Sequence, residues 1–269
     1  MSAATLTLPT TAPVSTFSRS LRIFFREARY DLLRMMRTRA FSLATIGFPV
    51  VFYIFFGIIM NRAEHIGTIS VAKYLLGSYA VFGVIGASLF SIGVGLSSEL
   101  AAGWLELKRA SPMPPAAYLL AKCTTAIGFG LIVTTLLTLI GIFFGQVTVS
   151  PLDYVKMLGL TAVCAIPFSC MGLCIALLAP ANSAPGITNM LYLPMSFCGG
   201  LWMPIMFLPK ALQTFAKVLP TYHMGQLMNA TLGYPMIGSV MSHVLGLVGF
   251  TLLAMGTAIV AFRRLEQNS

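Results

Sequence analysis

Charge is what this chain has least of. Only 9% of its 269 residues are Asp, Glu, Lys or Arg, and seven acids stand against 17 basic residues. A soluble domain carries about 25% charged residues. With 57% hydrophobic residues, the chain lacks the polar surface that water requires, and its class is membrane protein. So few carboxylates also leave little for general acid and base work. No Gly directly precedes a Lys, which excludes a phosphate loop ending in Gly-Lys-Ser or Gly-Lys-Thr. There is no HExxH or paired CxxC motif, and His65, His223 and His243 are far apart in sequence. The five cysteines, Cys123, Cys164, Cys170, Cys174 and Cys198, are odd in number and fall in apolar segments, so they read as small buried side chains. Cys170 and Cys174 lie one helical turn apart, but nothing nearby completes a metal site. The start, MSAATLTLPTTAPVSTFSRS, has no basic region followed by an apolar core. It is therefore not a signal peptide, and residues 1–16 are expected to be a disordered tail.

What the chain does have is long neutral apolar runs. Before the first of them, residues 17–39 place Phe17, Leu21, Phe24, Ala28, Leu32 and Met35 at helical spacing, with Arg19, Arg22, Arg26 and Arg29 on the other side. That pattern predicts an amphipathic helix in the membrane interface, its basic face suited to anionic headgroups. A single membrane domain over 17–269 follows, with spans expected at about 41–60, 74–98, 118–145, 154–179, 184–203 and 239–262. Within the second span, Gly83, Ala87, Ser91 and Gly95 recur every four residues and allow another helix to approach closely. Four prolines, Pro204, Pro209, Pro220 and Pro235, break residues 204–238 into pieces too short to cross a bilayer, so re-entrant helices are expected there. The fold class is thus all-α, with six transmembrane helices.

With both termini inside, twelve Lys and Arg fall on the inner side and five on the outer, which predicts cytoplasmic termini. The net charge of +10 then reflects loop bias and lipid headgroups rather than nucleic acid. Residues 99–117, a run unusually rich in charge, become a cytoplasmic loop, with Glu99 and Glu106 at or beyond the interface.

Carriers driven by protons and ion channels usually show intramembrane charge, and no acidic residue sits in the middle of these spans. The spans instead carry Phe82, Ser88 and Phe90 in the second, and Asn189, Tyr192, Ser196 and Phe197 in the fifth. These are candidates to line a path for a bulky lipophilic or amphipathic molecule, because aromatic and Met surfaces adapt to varied apolar shapes. Pro220, Tyr222 and His223 form a candidate outer gate. No carboxylate near them would orient a catalytic pair.

The basic helix FSRSLRIFFREARYDLLRMMRTRAF, the loop ELAAGWLELKRASPMPPAAYLLAK, the six spans and the segment LWMPIMFLPKALQTFAKVLPTYHMGQLMNATLG occur in an order that resembles the permease subunit of the ABC type 2 transporter family. The family's loop pattern falls on Glu99, Gly103, Glu106, Arg109, Ser111, Pro112 and Lys122. Its late proline pattern falls on Pro204, Leu208, Pro209, Pro220 and Tyr222. The run AAGWLELKRA departs from it by carrying less charge than is usual. The resemblance implies a bacterial inner-membrane exporter in which two permease copies, or this permease and a paralogous one, work with a separate cytoplasmic ABC ATPase. ATP and Mg²⁺ would be bound by that ATPase and no cofactor by this chain. It further implies a coupling helix in the 99–117 loop. There Leu100, Trp104 and Leu107 would share an apolar side, while Glu99, Glu106 and Arg109 would form a polar rim near Gly103. Lipophilic drug-like or lipid-like export is the leading expectation. Glycan export, an intramembrane enzyme using Tyr222 and His223, and a non-transporting anchor are the alternatives.

Overall fold

The computed structural model of the chain describes residues 16–61, 64–66, 69–103 and 115–267. Of the expected tail at 1–16, residues 1–15 lie outside them, and Thr16 already belongs to the first helix. Helix α1 (Thr16–Arg37) leads through a short turn, Arg39–Ser42, into α2 (Leu43–Met60). A two-residue antiparallel pair follows, β1 (His65–Ile66) with β2 (Ile69–Ser70). Then come α3 (Val71–Ala101), α4 (Pro115–Phe143), α5 (Pro151–Leu178) and α6 (Ala184–Cys198). Two short helices, α7 (Lys210–Ala216) and α8 (Pro220–Thr231), precede the last helix, α9 (Val240–Gln267).

Five of these helices, α2, α3, α4, α5 and α9, are long and apolar enough to cross a membrane. This is a multi-pass membrane protein. The long helices begin and end within a turn or two of the expected spans, the scatter that fraying ends allow. The expected span at 184–203 is different. It is realised as α6, 15 residues long, which rises only about 22 Å against a hydrocarbon core of about 30 Å. Gly199 and Gly200 follow immediately, and the chain turns away toward Pro204.

Helix α3 is the centre of the bundle: 83% of its apolar window is buried, against 22% for α2 and for α9. It packs on α4, α5, α2 and α8, while α1 lies against α4 and α9 against α5. The row of small residues on α3 explains part of this. Gly83 faces Val133 and Pro49, Ala87 packs with Met35 and Phe129, and Gly95 meets Met35. The face is therefore where α1, α2 and α4 come close. At the crossing with α5, a Cβ on Gly172 would stand 3.2 Å from the Gly93 nitrogen and 3.2 Å from the Ser88 carbonyl. Glycine fits this backbone approach without displacing a neighbour, whereas a Cβ would push the helices apart by a few tenths of an ångström.

Wider π turns interrupt two spans. In α2 they cover Leu43–Gly47 and Tyr53–Met60. The first of these precedes Pro49, which has no N–H to give to the turn before it. In α3 the π turn, Leu89–Val94, sits beside the Gly172 contact and carries Phe90.

Candidate functional site

The charged residues gather where α1, the end of α3 and the start of α4 meet. Asp31 and Arg34 are three apart on α1, and Tyr118 and Lys122 are four apart on α4, so each pair shares one helix face. Glu99 occupies the last turns of α3. Lys122 Nζ donates to Asp31 Oδ1 at 2.7 Å and to Glu99 Oε1 at 2.8 Å. Arg34 Nη1 donates to Glu99 Oε1 at 2.6 Å, and the Tyr118 hydroxyl donates to Glu99 Oε2. Lys122, Glu99 and Asp31 are 1%, 5% and 7% exposed, while Arg34 is half exposed and opens the cluster on one side.

Two cations and two carboxylates cancel, which is what makes such burial tolerable. A lone charge taken out of water costs several kcal/mol, and a paired, hydrogen-bonded one recovers most of that. Asp31 Oδ2 alone is buried with no hydrogen-bond partner among the described residues.

This placement differs from the expectation for Glu99. As part of a polar rim it would face a partner at or beyond the interface. Instead it is turned inward, because α1 lies across α4 and supplies Arg34, while α4 supplies Lys122 and Tyr118. Asp31, Arg34 and Tyr118 were not singled out from the sequence. A signal existed: Asp31 lies on the buried stripe of α1, between Ala28 and Met35, and an acid on a buried stripe requires a partner.

Of the expected coupling residues, Glu99 and Leu100 still belong to α3. Leu100 packs half-buried against Ile92, Leu96, Tyr118 and Ala176. Gly103 follows the helix with φ 73°, the left-handed conformation that stops a helix and favours glycine. Trp104, Glu106, Leu107 and Arg109, and the expected stop at Ser111 and Pro112, lie outside the described residues.

The candidate path residues mostly converge. Phe82 stacks on Tyr192 at 4.6 Å and 17°, and the Tyr192 hydroxyl donates to the Phe82 carbonyl at 2.9 Å. Phe90 meets Tyr192 edge-on, and Phe197 reaches Phe82 through Trp202. Phe52 and Tyr79 extend the same aromatic group. Ser88 and Ser196 are fully buried; Ser88 donates to the Val84 carbonyl, and Ser196 Oγ has no partner among the described residues. Asn189 alone is left out, exposed on the outer side of α6.

The third group lies at the other end of α3. From Tyr74 to Glu99 that helix rises about 37 Å, enough to cross the hydrocarbon core. Tyr74 donates to the Gly200 carbonyl at 2.9 Å, Asn229 to Ser78 Oγ at 2.9 Å, and Thr221 to the Met195 carbonyl at 2.7 Å, so α8 is fastened to α3 and α6. Pro220 opens α8, where its missing N–H costs nothing. Tyr222 is buried against two histidine rings.

One of those rings was not expected. His243, from α9, stands with its Nδ1 2.9 Å from His223 Nδ1, and its Nε2 is 3.0 Å from the Ile237 carbonyl. A carbonyl only accepts, so His243 carries its proton on Nε2 and accepts at Nδ1, and His223 donates from Nδ1. Burial, and then the neighbouring His243, push the His223 imidazole below its ordinary range. A separation of 20 positions hid this pair from a reading by spacing.

Among the described residues no group of three or more His, Cys, Asp or Glu could hold a metal ion. The Cys174 thiol donates to the Ala254 carbonyl at 3.0 Å, a helix-packing contact between α5 and α9.

The sequence pattern of the ABC-2 type transporter family matches residues 22–233, a stretch holding the ion cluster, the aromatic group and α8. YvfS, a Bacillus subtilis (strain 168) protein that bears the name of a transport permease, is 30% identical over 206 residues, covering 76% of this chain and 83% of YvfS. The order of elements read from the sequence, the multi-pass helical architecture and both likenesses agree: the chain belongs to the ABC-2 type transporter family and is a transport permease.

Proposed function

We propose that this permease is the membrane subunit of an ATP-driven exporter, moving a lipophilic drug-like or lipid-like molecule outward across a bacterial inner membrane. A separate ABC ATPase chain would hold ATP and Mg²⁺. The ion cluster is the observation that carries the reading. It ties α1, α3 and α4 together on both sides of the loop that would meet the ATPase, so a push on that loop is delivered to three helices at once. Leu100, Trp104 and Leu107 would seat in an apolar groove of the ATPase, with Glu106 and Arg109 at the rim. Glu99 acts behind that contact, inside the permease.

Both termini and the loop are cytoplasmic in this reading, which the twelve-to-five Lys and Arg bias supports. The aromatic group around Phe82 and Tyr192 is the closed path. Opening it separates α3 from α6 and exposes Phe90, Ser88, Ser196 and Phe197. Asn189 faces away and belongs to a contact with lipid or a second permease copy. Apolar side chains beside it, Met190 at 78% and Leu191 at 43% exposure, suit either neighbour. Six crossings are retained, with α6 and the turn after it making up the fifth. Helices α7 and α8 are re-entrant, and Pro220, Tyr222 and His223 with His243 form the outer gate.

The test is co-purification with the neighbouring ATPase in nanodiscs and measurement of ATP hydrolysis. Trp104→Ala and Glu106→Ala should lower the permease-dependent part of hydrolysis severalfold. Unchanged hydrolysis in both would place the coupling elsewhere.

A further inference from the structure

Beside the outer gate lies a cavity of about 300 Å³. Its lining includes Lys210, Gln213, Thr214, Lys217, Tyr222 and Ile237. Lys210 and Lys217 open and close α7, seven residues apart and so on one face, about 10 Å from each other along the axis. Neither ammonium has an ion-pair partner among the described residues. The sequence explains why: between Asp153 and Glu266 it contains no acidic residue. By contrast Lys156, the other lysine in that stretch, pairs with Asp153 at 3.5 Å.

The cavity wall is built rather than incidental. Gln213 Nε2 donates to the Leu208 carbonyl at 2.8 Å and holds the turn before α7 against the helix. Opposite, Ile237 is fixed by its N–H, which donates to Gln226 Oε1 at 2.9 Å, and by its carbonyl, which accepts from His243. The Tyr222 hydroxyl has no hydrogen-bond partner among the described residues and is available as a donor beside the two lysines. Next in the chain to lining residues or close to them, Phe207, Phe215 and Val218 are 65%, 53% and 75% exposed. Donors without an acceptor, on a short helix that also exposes apolar side chains at a membrane end, match an anion that carries hydrocarbon.

We infer that this cavity binds the anionic headgroup of a phospholipid. The two ammonium groups and the Tyr222 hydroxyl take the phosphate oxygens, and the acyl chains lie on Phe207, Phe215 and Val218. A volume at the lower end of small-molecule sites admits a headgroup and leaves the chains outside. Lysine acts here as a point charge on phosphate, without the bidentate geometry that arginine would impose.

The experiment needs neither the ATPase nor transport, so its outcome is separate from the exporter reading. The purified permease in neutral detergent is titrated with phosphatidylglycerol or phosphatidylcholine, and retained lipid is counted by native mass spectrometry. Phosphatidylglycerol should be retained in preference. The double variant Lys210→Gln/Lys217→Gln should weaken its retention about thirtyfold, from two surface cations lost. Lys210→Arg/Lys217→Arg should keep it, as should Lys156→Gln. Equal retention of both lipids, or unchanged retention in the double Gln variant, would overturn the site. Displacement of the lipid by millimolar inorganic phosphate would assign the cavity to a small soluble anion and overturn the lipid assignment.

Discussion

Lys122 is the residue on which most depends. Its ammonium serves Asp31 and Glu99 together, and Asp31 has no other ion-pair partner among the described residues. Glu99 keeps Arg34 and Tyr118 if Lys122 is lost, but Asp31 would be left buried and charged. Lys122→Met should therefore cost about 3 kcal/mol of stability, the usual penalty for breaking a buried pair from one side. Adding Asp31→Asn should recover part of it, because the stranded charge goes too. Unfolding in detergent, followed by helical circular dichroism, measures both, and an unshifted midpoint for Lys122→Met would contradict the pairing. How much of this was legible differs residue by residue. Glu99 and Lys122 stood out in the sequence as charges in an apolar chain, and both were placed near the correct helix ends. Their direction was not legible, because it depends on α1 folding back across α4, a contact between residues about 90 positions apart.

At the scale of elements, hydropathy located the long helices well, since each must bury or expose a membrane-length apolar run. Helix α6 shows where that signal is weakest. Residues 184–203 are apolar enough to read as a span, yet Gly199 and Gly200 stop the helix early, and only Ala184, Thr188, Tyr192 and Ser196 are buried along it. Composition alone does not separate a stripe every four residues from a full span. The joint between α8 and α9 was illegible for another reason: its two histidines come from different elements. That joint should respond to pH. Because the folded protein holds His223 below its ordinary value, the neutral pair's contribution is fully present above about pH 6.5 and is lost as pH falls through the depressed value. The groups around His223 are Tyr222 on its own helix, His243 on α9 and, just before α8, Lys217, whose carbonyl opposes the shift. Hydrogen-exchange protection over residues 220–246, taken relative to the intrinsic rate at each pH, should fall between pH 7.5 and pH 5.5. In His243→Phe that loss of protection should be reduced, whereas an identical pH response in the variant would remove the pair as its source.

For the whole molecule, the polar chemistry divides between two ends of one central helix. At one end of α3 four charges lock α1, α3 and α4; at the other, Tyr74 and Ser78 hold the turn after α6 and helix α8. Between them lies the aromatic group around Phe82 and Tyr192. A helix buried over most of its length cannot move at one end without repacking its neighbours, so in the proposed exporter α3 would carry a stroke from loop to gate. The central claim is that the ion cluster makes the stroke possible. It is tested most directly by ATP hydrolysis in the complex co-purified with its ATPase, comparing Lys122→Met with Lys156→Met. The expected result is that Lys122→Met still binds the ATPase but loses most of the permease-dependent stimulation, while Lys156→Met retains it. Full stimulation by a folded, ATPase-bound Lys122→Met permease would contradict the account.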